Sequence, residues 1–141
     1  TDIIQAVDFH MVSWLIINEL EGQAITGESS PAGILAELRL RYPALRTVLT
    51  LGPGGSVYQD GPLILRQERY TVPVKDTTAA GDTFLGYFIQ EAARAGAEPS
   101  AVQHALKLAS MAAALAVSRE GAMPSVPTRE EVETELAKRE R

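Results

Sequence analysis

The sequence predicts an α/β fold in which helices cover a mostly parallel sheet, and three observations carry that reading. A β-branched apolar run at 12–17 (VSWLII) is followed by a helical pattern and then by a second apolar run at 47–51 (TVLTL). That is the strand–helix–strand order of a βαβ unit. An amphipathic pattern with Phe84, Leu85, Phe88, Ile89 and Ala92 on one side follows a run of small residues. A third pattern, over 108–117, is apolar on every side and belongs in the interior.

Taken in order, 12–17 is short and apolar throughout, as a strand covered on both faces must be. Ser30 and Pro31 supply a helix cap and a first helical residue. Ile34, Leu35 and Leu38 then share one face, and Pro43 ends the helix. The strand at 47–51 is closed by GPGG. Segments 56–59 and 63–67 flank Asp60-Gly61, a dipeptide suited to a tight hairpin turn. After Pro73 comes KDTTAAGDTF, then the amphipathic helix, which Gly96 ends. Ser100 is placed to cap a further helix reaching about residue 117. Thr128 and Glu131 form a capping box ahead of Val132 and Leu136, giving a charged surface helix. Trp14, Phe84 and Phe88 are assigned to the core.

The 141 residues suit one domain or a piece of one, with 45% hydrophobic and 22% charged residues. Thirteen Lys and Arg against eighteen Asp and Glu leave a net charge of −5. That balance argues against nucleic-acid and anionic-membrane partners, which need clustered positive charge. With no Cys, disulfides and thiolate chemistry are excluded. The two His, His10 and His104, are far apart, which disfavours zinc. No uninterrupted apolar run approaches the ~18 residues that span a bilayer. The first ten residues carry acids where a signal peptide needs basic ones, so a cytoplasmic setting is expected. The chain opens directly on a strand, with no first βα unit bearing a nucleotide fingerprint. It is therefore expected to be 1–141 of a single partial domain, the C-terminal part of something larger.

The chemistry is concentrated in 76–84, DTTAAGDTF. Ala79, Ala80 and Gly81 precede the amphipathic helix, where several N–H groups lack intrahelical partners. Small side chains let an anion approach those donors, and the helix dipole favours negative charge there. Asp82 falls in the first turn, where its ionised form is favoured and can accept a proton. An anion cradle beside a fixed carboxylate is what phosphoryl transfer to a hydroxyl requires.

DTTAAGDTFLGYF resembles the C-terminal signature of the ribokinase-like, or phosphofructokinase-B, carbohydrate kinases, D-T-x-G-A-G-D-x-F. Three further stretches agree in the right order: NELEGQAITG (18–27) with the family's N-x-x-E segment, TLGPGG (50–55) with its T-x-G-x-x-G nucleotide loop, and AVSREGAMPSVPTREEV (116–132) with its closing segment, most closely in the form ribokinases have. Ala79 replaces the more frequent first Gly, and Ile17 stands where many members have Pro. The resemblance implies a three-layer α/β/α fold, present here as its nucleotide-binding and catalytic half. It further implies ATP, Mg²⁺ and K⁺ as cofactors, a sugar such as ribose as phosphoryl acceptor, and room for a homodimer in the intact protein.

Role by role, the resemblance makes Asp82 the general base and Ala79, Ala80 and Gly81 the anion hole. Asn18 and Glu21 would organise phosphates and Mg²⁺, Glu21 through water, since Mg²⁺ keeps much of its water shell. Thr50, Gly52 and Gly55 would hold the nucleotide, with Ser110 near the adenine. Asp76, Thr78, Ser125 and the carbonyls of Ala116, Arg119 and Gly121 would form a monovalent-cation site. The family's N-terminal half, with its sugar contacts and lid, is absent from these 141 residues. A second reading, a non-catalytic nucleotide-binding or regulatory module with the same fold, is opposed by the retained Asp82. A dinucleotide oxidoreductase is opposed by the lack of G-x-G-x-x-G after a strand.

Overall fold

A computed structural model describes residues 14–72, 80–118 and 127–140, and the chain divides into two compact units after Arg66. The first unit opens with β1 (Trp14–Asn18), α1 (Glu19–Thr26) and α2 (Pro31–Arg41). β2 (Arg46–Thr50), a single 3-10 turn at Gly52–Gly54, β3 (Ser56–Asp60) and β4 (Leu63–Gln67) follow. The second unit holds α3 (Ala80–Ala95), α4 (Pro99–Val117) and α5 (Arg129–Arg139).

The strands form one sheet in the order β1-β2-β3-β4. β1 and β2 are parallel, in register from Trp14↔Arg46 to Asn18↔Thr50. β2 and β3 are antiparallel, because the short GPGG connection cannot make the crossover a parallel pair needs. Among the described residues the sheet is thus mixed, where the sequence led us to expect a mostly parallel one. β3 runs one residue further than expected, so the loop to β4 is Gly61-Pro62 rather than Asp60-Gly61. Gly61 has φ 57, and the proline ring keeps the next φ negative, the sign pattern of a type II′ hairpin turn.

α2 begins as the sequence suggests: Ser30 caps it through Gly33 N at 3.0 Å and Pro31 is its first residue. Its buried Ile34, Leu35 and Leu38 join Ile17, Leu45, Leu49 and Val57 in one apolar cluster. α1 was not foreseen as a helix. Asn18 caps it, and Gly27, at φ 78, ends it. Gly22 allows α1 to lie close to α2, since a Cβ there would stand 2.8 Å from Ile34 Cγ2. Arg41, at the end of α2, donates to the carbonyls of Ile25 and Thr26 at the end of α1.

In the second unit α3 and α4 pack along each other, and α5 lies on α4. Leu108, Met111, Ala112, Ala114, Val132 and Leu136 form one apolar cluster there. α4 is 19 residues long and apolar enough to cross a membrane by length and composition, yet over half of it is buried inside the protein, as the sequence expected of 108–117. Two expectations need correction. Ser100 does not cap α4: Glu98 occupies the cap position and Pro99 the first helical one, where its missing N–H costs nothing. Leu85 and Ile89 are exposed, at 36% and 51%, while Thr83, Phe84, Phe88 and Glu91 are buried. The buried stripe of α3 is therefore rotated toward Glu91. Phe84 and Phe88 are core and stack at 6.3 Å, but Trp14 is half-buried, lying 5.8 Å from Tyr58 with the Arg46 guanidinium over its ring.

Candidate functional site

Register places Asn18 beside Thr50 at the carboxyl ends of the two parallel strands, where open α/β sheets hold their ligands. Asn18 leaves β1 in extended conformation and starts α1 at once. Its Oδ1 accepts from Glu21 N at 2.8 Å, and its own N–H donates to Glu21 Oε1 at 3.0 Å. The N-x-x-E spacing is thus a reciprocal capping box, and it holds the Glu21 carboxylate over the first turn of α1. The cap uses one carboxylate oxygen. Among the described residues no group of three or more His, Asp or Glu could enclose a metal ion. What Glu21 offers is a single half-buried carboxylate, suited to an ion that keeps most of its water.

Thr50 ends β2 and ties it to β1, its hydroxyl donating to Ile17 O at 3.4 Å. The loop that follows is closed by Leu51 N to Gly55 O at 2.8 Å and Gly55 N to Gly52 O at 3.1 Å. Gly52 and Gly55 both have positive φ, 59 and 86, which side chains with a Cβ adopt only under strain. A Cβ added at Gly52 would meet nothing within 4 Å. The glycine serves the backbone turn and leaves the loop open above it.

In the second unit, Ala80, Gly81 and Asp82 form the first turn of α3. Gly81 and Asp82 are exposed, and a Cβ at Gly81 would also meet nothing within 4 Å. The N–H groups of this turn lack helical partners, so an open face bearing backbone donors and one carboxylate stands at the head of a 16-residue helix. Ser110 is 7% exposed, within the packed part of α4. Ala116 lies buried in the last turn of α4. Ala79, Asp76, Thr78, Arg119, Gly121 and Ser125 lie outside the described residues.

The sequence reading missed a buried carboxylate held by two guanidiniums that reach solvent. Glu91, 2% exposed, receives Arg129 Nη1 on Oε1 at 2.7 Å and Arg94 Nη2 on Oε2 at 2.8 Å. Burial alone would raise its pKa, but the Arg129 and Arg94 guanidiniums outweigh burial and hold it below the usual carboxylate value. Two signals were available. Glu91 sits seven residues after Phe84 on the apolar face of its helix, and Arg129 opens α5, an end where the dipole disfavours a cation.

The pfkB family carbohydrate kinase model matches residues 5–129. A ribokinase of Lactococcus lactis is 31% identical over 94% of this chain and 41% of its own length. The solved Arabidopsis thaliana ribokinase complexed with ribose and ATP is 26% identical, with a TM-score of 0.77 over 89% of this chain and 41% of that one. A Vibrio cholerae fructokinase bound to fructose, ADP and calcium ion is 25% identical, with a TM-score of 0.79 over the same shares. The chain spans about two-fifths of the length of these relatives.

Proposed function

Because the chain belongs to the pfkB family of carbohydrate kinases, we propose that it is the nucleotide-binding and catalytic part of an ATP-dependent sugar kinase. The reaction moves the γ-phosphoryl group of ATP to a hydroxymethyl group of a sugar such as ribose. Asp82 takes the hydroxyl proton as the oxygen attacks phosphorus, and ADP leaves with the bridging oxygen. The N–H groups around Gly81 hold the negative charge on the transferring group. Thr50 and the Gly52–Gly55 loop contact the nucleotide, and Glu21 is the residue that would help hold a hydrated divalent cation, which would neutralise phosphate charge.

The observation that carries this reading is Asp82 itself: an exposed carboxylate in the first turn of a long helix, preceded by residues with no bulk to keep an anion away. Nucleotide and divalent-ion use is supported by relatives solved with ATP, or with ADP and calcium. In the intact enzyme, Asp82→Asn should lower kcat at least ~10²-fold, the lower end for loss of a general base. Nucleotide affinity, followed by calorimetry, should change little. Near wild-type turnover in the variant would remove Asp82 from the mechanism. ATP binding without phosphorylation of any sugar in a broad panel would instead favour the non-catalytic module.

A further inference from the structure

The cluster around Glu91 is poorly explained by stability. Its Arg94 and Arg129 partners reach solvent while the carboxylate is buried. Replacing charges paired in the interior with apolar side chains is often neutral or stabilising, and a leucine at 91 would complete the stripe of Phe84 and Phe88. What the charges supply is direction. Both Glu91 carboxylate oxygens are taken, by Arg129 from α5 and by Arg94 one turn further along α3. One turn earlier, the Tyr87 hydroxyl donates to the carbonyl of Pro127, just ahead of the α5 cap. Two successive turns of α3 therefore grip the start of α5.

The other end of α5 is held as well. Arg139 Nη2 donates to Thr71 O at 3.3 Å, its guanidinium lies 5.7 Å over the Tyr70 ring, and Tyr70 and Val72 pack on the cluster containing Val132 and Leu136. α5 is thus fastened both to α3 and to the segment at 70–72. α3 can neither turn about its axis nor slide along it without breaking the Glu91 and Tyr87 bonds. Asp82 rides on the same helix, nine residues and roughly 14 Å from Glu91 at 1.5 Å per residue.

We infer that Glu91 and Tyr87 are positioning residues for phosphoryl transfer, which set the rotation and axial position of α3 and so the placement of Asp82. The inference rests on Asp82 being the general base. Misplacing a reacting group by about 1 Å can cost up to ~10²-fold in rate, and a loosened clamp costs part of that.

The test compares Glu91→Gln, Tyr87→Phe and Asp82→Asn in the intact enzyme, each assayed well below its own melting temperature. Glu91→Gln should lower kcat about tenfold and Tyr87→Phe about threefold, with KM for ATP within twofold of wild type. A stability role alone would lower Tm and leave kcat in place. That result in both variants, with Asp82→Asn inactive, overturns the positioning role and spares the functional reading. An active Asp82→Asn variant overturns the functional reading itself. Should Glu91→Gln not fold, Tyr87→Phe decides by the same criteria, since it keeps the ring and removes only the hydroxyl.

Discussion

Tyr58 is wholly buried in β3, with its hydroxyl 3.4 Å from Asp60 Oδ2. Burial, reinforced by the Asp60 charge, pushes its pKa from 10 up to about 12. A raised pKa in the folded state means stability that is complete below the unfolded value and lost as pH rises toward the folded one. Between about pH 10 and 12 the unfolded chain releases this proton and the folded chain keeps it. The penalty is at most about 2–3 kcal/mol. Urea midpoints at pH 9 and 11.5 should therefore fall more steeply for the wild type than for Tyr58→Phe. Equal slopes would mean that the Tyr58 hydroxyl reaches solvent. Asn18 shows how one residue serves two ends: the bonds that make it the cap of α1 also fix Glu21, which the proposed function uses.

At the scale of the element, α1 is eight residues long, too short to persist on propensity alone, so its cap and its contact with α2 hold it. Gly22 permits that contact. Gly22→Ala would bring a methyl to 2.8 Å from Ile34 Cγ2 and 3.0 Å from Cδ1, on a β-branched side chain that is itself fully buried. The gain in helix propensity is about 1 kcal/mol, and overpacking costs about 1–3 kcal/mol. Net destabilisation of about 1 kcal/mol is expected, read as a lower urea midpoint with an unchanged m-value. A stabilised variant would show that α1 shifts freely on α2.

For the whole molecule, the chain spans about two-fifths of its relatives' length, and the sequence holds no part recognisable as a sugar pocket. The 141 residues tested alone should show negligible phosphorylation of ribose or fructose. Robust turnover by the isolated chain would refute this. Among the described strands β1 is bonded on one side only, and an open strand edge recruits other strands. Sedimentation of the isolated chain should accordingly show concentration-dependent self-association.

The sequence by itself determined the α/β class, α2 and α5 with their caps, and the helix that follows the small residues. Each of these is local. A cap, a turn or an apolar period is decided by neighbours a few residues away. The helix Glu19–Thr26 was not read because a capping box and an Asn turn share the same four-residue signature. Only the tertiary structure decided the rest. The pairing of Asn18 with Thr50 depends on strand register across thirty-two residues. The exposed Leu85 and Ile89 depend on how α3 is rotated against its neighbours. The Glu91 clamp needs a cation brought back from thirty-eight residues away. A buried charge looks like an error in an apolar pattern until its partners arrive, and long-range packing alone brings them.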